Sequence, residues 1–334
     1  MYLFSYIFDI LLTECEFLSN FWRYYRMRSQ PKKKRTWLKI TGIILLVLVI
    51  GGGIYAYNVY SSLKDAVATM HQPIERKQSE KREKPVAFKE KDPFSVLMLG
   101  VDERSGDKGR SDTMIVLTVN PNNNSVKMLS IPRDTRTEIV GKGKEDKINH
   151  AYAFGGVQMS MDTVENFLDI PIDYFMQVNM EGFKDIVDAV GGVTVQNNLD
   201  FTQDKIHFAK GELNLSGKEA LAFTRMRKQD PRGDFGRQAR QRQVIQGVIK
   251  EGASLSTLTN YSGIFSALGK NVKTNLTFNQ MVDIQKNYKS VGSNISQIEI
   301  NETGTKIGGI YYGIVAPEEK QRIQTELKTQ LALQ

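Results

Sequence analysis

A dense group of arginines in the second half of the chain is the feature most suggestive of chemistry. The stretch FTRMRKQDPRGDFGRQARQRQ holds six arginines, and Lys228 is its only lysine. A guanidinium group binds phosphate oxygens in bidentate fashion better than an ammonium group does. The composition therefore predicts a site for a phosphate-bearing anion. The six are Arg225, Arg227, Arg232, Arg237, Arg240 and Arg242.

The spacing of these arginines predicts how they are presented. In the predicted helix Phe235–Gly252, Arg237 and Gln241 are four residues apart and so share one face. Arg225 and Arg227 lie two residues apart, at a helix end or on an outgoing strand. In a strand they would point to the same side. The alternative for the helix is an amphipathic segment whose arginine edge faces solvent.

Carboxylates and further arginines stand at the ends of predicted strands. Asp102 ends the apolar run FSVLMLGVD, Arg110 and Asp112 lead into the next run, and Arg133 follows a third. Ligand groups of open α/β sheets lie at strand ends. Two carboxylates beside several arginines can hold a divalent metal ion and a phosphate together. The alternative is a set of surface salt bridges in loops, which are common and contribute little.

The elements that must position these residues alternate between strands and helices. Apolar runs at Phe94–Asp102, Asp112–Asn120 and Ser125–Pro132 predict strands, and PNNN between the last two predicts a hairpin. This order of elements predicts a three-layer α/β/α domain with a mixed central sheet. The other predicted strands are Tyr174–Asn179, one around Gln297–Ile300 and Gly309–Val315. The predicted helices are Gly155–Leu168, Met180–Gly192, one starting at Ser216 with Glu219 in a capping box, Phe235–Gly252, Phe278–Tyr288 and one after Pro317.

Other familiar kinds of site are missing from the sequence. The three histidines do not fall at metal-ligand spacing, so a zinc site is not expected, and His150 is interpreted as a supporting or structural residue. No Walker loop, nucleophile elbow or dinucleotide fingerprint follows a predicted strand. The one cysteine, Cys15, precedes the predicted domain, which therefore has neither a disulfide nor cysteine-based catalysis.

The positive charge is concentrated near the N-terminus. The chain of 334 residues has a net charge of +8, and residues 1–84 contain 14 Lys and Arg against 7 Asp and Glu. Residues 85–334 contain 31 against 30. A DNA-binding domain usually carries its own excess of positive charge. The nearly neutral remainder therefore favours a local anion site over a nucleic-acid surface.

An uncharged apolar segment, Ile40–Leu63, predicts a transmembrane helix because roughly 20 apolar residues cross a bilayer core. The preceding PKKKRTWLK carries five cations, so the positive-inside rule places residues 1–39 in the cytoplasm and the rest outside the cell. A cleaved signal peptide is the alternative, but no convincing cleavage site follows. Residues 64–92 are expected to form a polar extracellular stalk, and residues 93–334 the extracellular domain. Translation is expected to start at Met27, which would make residues 1–26 an over-extended start; the alternative is an amphipathic cytoplasmic extension.

Several motifs in register resemble the LytR-CpsA-Psr family. They are LMLGVDER, RSDTMIVLTVNP, KMLSIPRDTR, KINHAYAFGG, VDAVGGV, LSGKEALAFTRMRK and DFGRQARQRQVI. The resemblance covers about residues 93–252. Because no extra domain separates the anchor from the core, the chain is most similar to the wall teichoic acid transferases of that family.

The resemblance implies an external phosphotransferase that depends on Mg²⁺ or Mn²⁺. Such an enzyme takes a glycopolymer linked through pyrophosphate to undecaprenol and attaches it to the muramic acid C6 hydroxyl of peptidoglycan. By resemblance, the metal-associated carboxylates are Asp102 and Asp112. The pyrophosphate-binding positions are Arg110, Arg133, Arg225, Arg227, Arg237 and Gln241. The residues expected to be catalytic are Asp102, Asp112, Arg133, Arg225 and Arg227.

Several alternatives remain open at the level of sequence. The general base is Asp102 or Asp112, with Asp234 a weaker candidate. The same phosphate-binding groups would also serve a prenyl-pyrophosphate phosphatase that uses water as the acceptor. A membrane-bound transcriptional regulator and a non-catalytic polymer-binding anchor belong to other classes of protein. The predicted external location argues against the regulator, and no nucleic-acid partner is expected.

Overall fold

The computed structural model describes residues 34–76, 78–101, 109, 111–252, 269, 271–288, 290–291 and 294–333. Two of the predicted site residues, Asp102 and Arg110, lie outside the described residues, as do residues 1–33 with both candidate starts. The chain divides into two compact units, one ending at Asn58 and the other running from Val59 to Gln334.

A single long helix, α1 (Lys34–Met70), includes the predicted transmembrane segment. Its part from Lys39 onward has a mean hydropathy of 2.2 in its most apolar window. Among the described residues it is the one helix that is long and apolar enough to cross a membrane, judged by length and composition. An N-terminal apolar helix of this kind is compatible with a single-pass anchor.

The second unit is built on a six-stranded sheet. Its strands are β1 (Phe94–Val101), β2 (Ser111–Asn120), β3 (Ser125–Ile131), β6 (Tyr174–Asn179), β11 (Val272–Thr274) and β12 (Ile295–Ile298), in the spatial order β11-β6-β1-β2-β3-β12. The pairs β1–β6 and β3–β12 are parallel, and the other three pairs are antiparallel. The predicted mixed sheet is therefore confirmed, as is the hairpin between β2 and β3.

Helices cover both faces of this sheet, which confirms the three-layer arrangement. Alternate residues of β1 point to opposite faces: Leu97 and Leu99 pack in the core beneath α2 (His150–Leu168) and α7 (Pro317–Gln330). Phe94 and Val96 pack on the other side, against α6 (Phe278–Tyr288). Each face thus has its own apolar core, as burial of both sides of a sheet requires.

A third core lies outside the main sheet. It packs α3 (Met180–Ala189), α4 (Gly217–Arg225) and α5 (Asp234–Gly252) around buried phenylalanines, Phe201, Phe208 and Phe223. The capping box predicted for α4 is present, since Ser216 N donates to Glu219 Oε2 at 2.8 Å. The short strands are β4 (Arg136–Ile139), β5 (Lys144–Lys147), β7 (Val193–Asn197), β8 (Phe201–Gln203), β9 (Ile206–Phe208), β10 (Gly211–Leu215), β13 (Glu302–Ile307) and β14 (Ile310–Val315).

The segment expected to be a polar stalk, residues 64–92, differs from that expectation. Helix α1 continues to Met70, and the side chains of Ala66, Val67 and Met70 are buried. Arg82 is paired with the buried Asp173 at 2.7 Å. Phe88 is 4% exposed and belongs to the α6 core. A few apolar residues and a part-buried ion pair anchor this segment, although its composition is polar and its sequence shows no helical periodicity.

Candidate functional site

The ends of four strands meet at one edge of the central sheet. Val101 ends β1 beside Ser111, the first residue of β2, and beside Asn179, the last residue of β6. Ile131 ends β3 opposite Met114 of β2. Residues that follow β3 and β6, or that begin β2, are therefore gathered at this edge. The sequence predicts clusters of carboxylates and arginines at these same strand ends.

Asp112 and Arg133 meet at this edge. The Arg133 Nη1 atom lies 2.7 Å from Asp112 Oδ1, although 20 residues separate the two in sequence. Burial by itself would lower the pKa of Arg133, but the hydrogen bond and charge of Asp112 outweigh it and raise that pKa. The charges of Asp134 and Asp234 act in the same direction. Arg133 therefore stays a cation and is held in place.

Helix α5 brings its N-terminal half to the same edge. Gln241 Nε2 donates to Thr113 Oγ1 at 2.9 Å, which fixes the helix against the start of β2. Arg237, one turn earlier on the same face, is paired with Asp234 at 2.7 Å. The face shared by Arg237 and Gln241 is the one expected from their spacing.

Arg237 is largely buried, and Arg133 and Arg227 are among its charged neighbours. Burial is the largest cause of the lowered pKa of Arg237; Asp234 opposes it, while Arg133 and Arg227 lower it further. Its buried Nε has no hydrogen-bond partner among the described residues. A buried donor without a partner costs about 1–3 kcal/mol, so this position favours an anionic acceptor.

Arg227 completes the group, which we call the arginine site: Asp112, Arg133, Arg227, Asp234, Arg237 and Gln241. Arg227 follows α4 in an irregular connection and lies 3.7 Å from Asp234. It is half exposed. Three guanidinium groups thus converge at one place, and guanidinium groups are well suited to binding phosphate oxygens.

Arg225 lies apart from the direct contacts of the arginine site. As the last residue of α4, it donates to the Met180 sulfur at 3.1 Å and lies 3.9 Å from Asp204. Met180 immediately follows β6, so Arg225 is close to the same sheet edge. Its side chain is 46% exposed and accessible to a ligand there.

The remaining arginines of the dense stretch have structural roles. Arg240 is buried and paired with the buried Asp230 at 2.6 Å, and it lies over the rings of Phe201 and Phe223. Arg242 is buried between the sheet and Glu299, which it contacts at 2.6 Å. Arg232 is close to Asp230, and Arg136, outside this stretch, is paired with Glu145. Each of these four arginines lies close to a protein carboxylate, because its side chain projects from a different face of its element than the residues of the arginine site do.

One predicted metal ligand, Asp112, can be placed. Its side chain is 40% exposed, and a carboxylate is the kind of hard oxygen donor that Mg²⁺ takes. No group of three or more His, Cys, Asp or Glu side chains among the described residues is arranged to hold a metal ion. His150 takes part in a structural contact, with Nδ1 3.0 Å from Asp146.

Glu302 is a site neighbour that the sequence reasoning missed. Its Oε2 atom accepts a hydrogen bond from Thr135 at 3.1 Å, two residues beyond Arg133. A cavity of about 260 Å³ lies elsewhere, against the opposite side of α5 next to Arg232 and Arg240. It shares no residue with the arginine site.

The chain is similar to known proteins over most of its length. The LytR_cpsA_psr family model matches residues 57–329. A polyisoprenyl-teichoic acid–peptidoglycan teichoic acid transferase, TagU of Bacillus anthracis (strain CDC 684 / NRRL 3495), is 61% identical over 300 residues, which is 90% of this chain and 98% of the relative.

Solved structures agree with this relationship. The crystal structure of B. subtilis TagU is 56% identical, with a TM-score of 0.59, over 72% of this chain and 97% of that one. A TagT chain bound to LI-WTA is 33% identical, with a TM-score of 0.68, over 79% of this chain and 100% of that one. The strand-end motifs, the fold and these matches together show that the chain belongs to the LytR-CpsA-Psr family.

Proposed function

We propose that this protein is a phosphotransferase that attaches an anionic glycopolymer, carried on undecaprenyl pyrophosphate, to the muramic acid C6 hydroxyl of peptidoglycan. The polymer we propose is wall teichoic acid. The observation that carries the proposal is the meeting of Arg133, Arg227 and Arg237 at one sheet edge. The high identity to a TagU transferase over nearly the whole chain supports it.

The arginine site suits the binding of a pyrophosphate. Arg133 and Arg237 are held by Asp112 and Asp234, so their guanidinium groups are oriented before a ligand arrives. Arg227 is more exposed and can close on the ligand from the solvent side, with Arg225 near the same edge. Phosphoryl transfer depends chiefly on positioning and on neutralisation of developing charge. Fixed arginines provide both.

We propose that the reaction requires Mg²⁺ or Mn²⁺, held by Asp112 together with Asp102. A bound divalent ion would neutralise phosphate charge and help the prenyl phosphate leave. The protein groups keep their own roles beside it. Asp112 also orients Arg133, so its substitution is expected to weaken both metal binding and pyrophosphate binding.

We propose that α1 anchors the protein in the cell membrane with its N-terminus in the cytoplasm and its second unit outside. The apolar helix and the basic residues before its apolar segment support this orientation. A lipid-linked donor and a cell-wall acceptor are both accessible to such a protein. Alkaline phosphatase fused after residue 90 should be active outside the cell, and a silent fusion would contradict this topology.

Reconstitution of the detergent-solubilised chain tests the function. Lipid-linked polymer, a peptidoglycan oligomer and Mg²⁺ should yield covalently linked polymer and free prenyl phosphate. Product should disappear with EDTA and return with added Mg²⁺. Arg133→Ala should lower the transfer rate by about 10²–10³-fold, because a preorganised donor to the developing charge is lost.

A control is Lys250→Ala, which removes an exposed cation at the opposite end of α5 from Arg237 and should leave the transfer rate unchanged. Polymer phosphate released to water in place of linked product would favour a phosphatase. Normal binding of lipid-linked polymer with neither product would favour a non-catalytic binding protein.

A further inference from the structure

The hairpin β13–β14 is attached directly to the segment that carries Arg133. Gly313 N donates to Asp134 O at 2.9 Å, and Thr135 forms a bridge with Gly313. Thr135 Oγ1 then donates to Glu302 Oε2 at 3.1 Å. These contacts place Glu302, the first residue of β13, next to the arginine site from a part of the chain far away in sequence.

Two glycines make room for the Glu302 carboxylate on this hairpin. Gly304 and Gly313 are directly opposite each other in the β13–β14 register. A Cβ atom at Gly313 would overlap the Glu302 carboxylate, and one at Gly304 would lie 2.6 Å from the Tyr311 hydroxyl. The carboxylate and the phenol therefore occupy the space above a pair of residues that lack side chains. Any other residue type would push them away.

Glu302 differs from the other carboxylates around the site in its partners. Asp112 is paired with Arg133, Asp134 with Lys147, and Asp234 with Arg237. Glu302 has no ion-pair partner within 4.0 Å among the described residues, and the hydroxyl of Thr135 is its hydrogen-bond donor there. A carboxylate without a cation partner is more basic than an ion-paired one, because no adjacent positive charge stabilises its ionised form.

The surroundings of Glu302 favour its protonated form. Burial is the largest cause of its raised pKa, and the charges of Asp134 and Asp234 add to it against the Thr135 hydrogen bond. Tyr311 shares this environment, with a pKa raised by burial and then by Glu302 and Asp134, while Arg227 lowers it. A carboxylate with a raised pKa is a stronger base than an ordinary one.

We propose that Glu302 accepts the proton of the acceptor hydroxyl in the transfer reaction, an inference that rests on the proposed function. The hydroxyl oxygen forms a bond to the phosphorus that bears the polymer. The bond from that phosphorus to the bridging oxygen breaks, and prenyl phosphate leaves with the electron pair. The hydroxyl proton passes to a Glu302 carboxylate oxygen and is then released to water.

Glu302→Gln tests the proposal because it keeps the shape of the side chain and removes its basicity. In the reconstituted full chain, transfer should fall by about 10²–10⁴-fold. Affinity for lipid-linked polymer should stay within about twofold of wild type, since the pyrophosphate-binding arginines are unchanged. The wild-type rate should fall as pH drops through the raised pKa of Glu302, and this acidic limb should be absent from Glu302→Gln.

A second variant guards against a purely structural effect. Thr135→Val removes the hydrogen bond that lowers the pKa of Glu302, so the acidic limb should move to higher pH. Glu302→Asp should retain the limb at a lower rate. The matched control is Glu318→Gln, an exposed glutamate in the first turn of α7, which should match wild type in rate and pH profile.

The outcomes separate the two proposals. If wild type makes linked polymer and Glu302→Gln does so at the same rate with the same pH profile, the role of Glu302 is refuted and the function stands. Equal losses of polymer affinity and transfer rate in Glu302→Gln would also refute it, because they indicate a structural role. If wild type makes no linked polymer under any condition, the proposed function itself fails.

Discussion

At the scale of single residues, arginines close together in sequence have different roles in the structure. Arg237 belongs to the arginine site, while Arg240, about one turn away, is buried in an ion pair with Asp230. Both lie on α5, and residue type alone cannot tell them apart. They differ in the helix face from which each side chain projects. Sequence spacing shows that the faces differ, but what each face contacts depends on the neighbouring elements.

We predict that Arg240→Ala chiefly affects stability, whereas Arg237→Ala chiefly affects the transfer rate. Arg240→Ala should lower the free energy of unfolding by about 3–5 kcal/mol, because it leaves the buried Asp230 carboxylate without its cation. Burial by itself would raise the pKa of Asp230, but the hydrogen bond and charge of Arg240 help to lower it. The same contact with Arg240 therefore keeps this buried carboxylate ionised. Denaturant unfolding of the two purified variants measures the difference.

Arg237→Ala should change the free energy of unfolding by no more than about 1 kcal/mol, since Asp234 keeps its hydrogen bond from Gln238 at 3.0 Å. Its transfer rate should fall by about 10²-fold, because a charged group is lost from the arginine site. A destabilised Arg237→Ala with a wild-type rate per folded molecule would contradict this division of roles.

The sequence predicted part of the arginine site and missed part of it. Asp112 and Arg133 were found because each stands at a strand end, and strand ends meet at one edge. Glu302 was missed because its position depends on the β13–β14 register and on the bridge from Gly313 to Thr135. An acid followed closely by glycines, NETGTKIGG, is a weak signal, and it has meaning only once the hairpin is docked.

At the scale of elements, helix α7 supports the hairpin that carries Glu302. Glu319, in its first turn, accepts a hydrogen bond from Asn301 N at 2.9 Å, immediately before β13. Its hydrogen bond with Arg322 is the largest cause of a pKa lowered to about 2. The start of the hairpin is thus held by a glutamate side chain whose contacts favour its ionised form.

The low pKa of Glu319 gives a signed pH dependence of stability. A carboxyl whose pKa is lower in the folded state contributes stability that is fully present above its unfolded pKa, near 4.5, and is lost as pH falls toward 2. Glu319→Gln should therefore destabilise the protein at pH 6 and have a much smaller effect at pH 2.5. Urea unfolding at the two pH values, with Glu318→Gln as control, tests this expectation. Equal destabilisation at both values would contradict it.

Element boundaries were predicted well where a local signal marks them. The turn between β2 and β3, the capping box of α4 and the start of α7 at Pro317 are each encoded within a few residues. Helix α2 begins earlier than predicted, at His150, with a break at Gly155 and Gly156 that the apolar spacing did not reveal.

At the scale of the whole molecule, the domain includes residues 64–92, although the polar composition of that segment predicts a stalk. The second unit starts at Val59, and Phe88 packs edge-on against Phe94 with ring centroids 5.1 Å apart. A composition dense in lysine and glutamate, without helical apolar periodicity, predicts a stalk. The few apolar side chains within it decide where it lies.

Phe88→Ala measures how firmly this segment is built into the domain. We expect a loss of about 3–5 kcal/mol in the free energy of unfolding, as for other buried phenylalanines. Lys89→Ala, at the exposed neighbouring position, should change it by less than about 0.5 kcal/mol. If neither substitution has an effect, residues 64–92 act as a stalk after all.

The strand order has a consequence for the timing of synthesis. Both edge strands of the central sheet, β11 and β12, come from the last quarter of the chain, and the hairpin β13–β14 follows them. Chains emerge N-terminal end first, so β3 and β6 are complete long before their outer partners exist. Until then each strand has an unpaired side that can join another chain. During synthesis the chain is therefore prone to associate with other chains through these unpaired strands. The hairpin that carries Glu302 is complete only after residue 315 has been made.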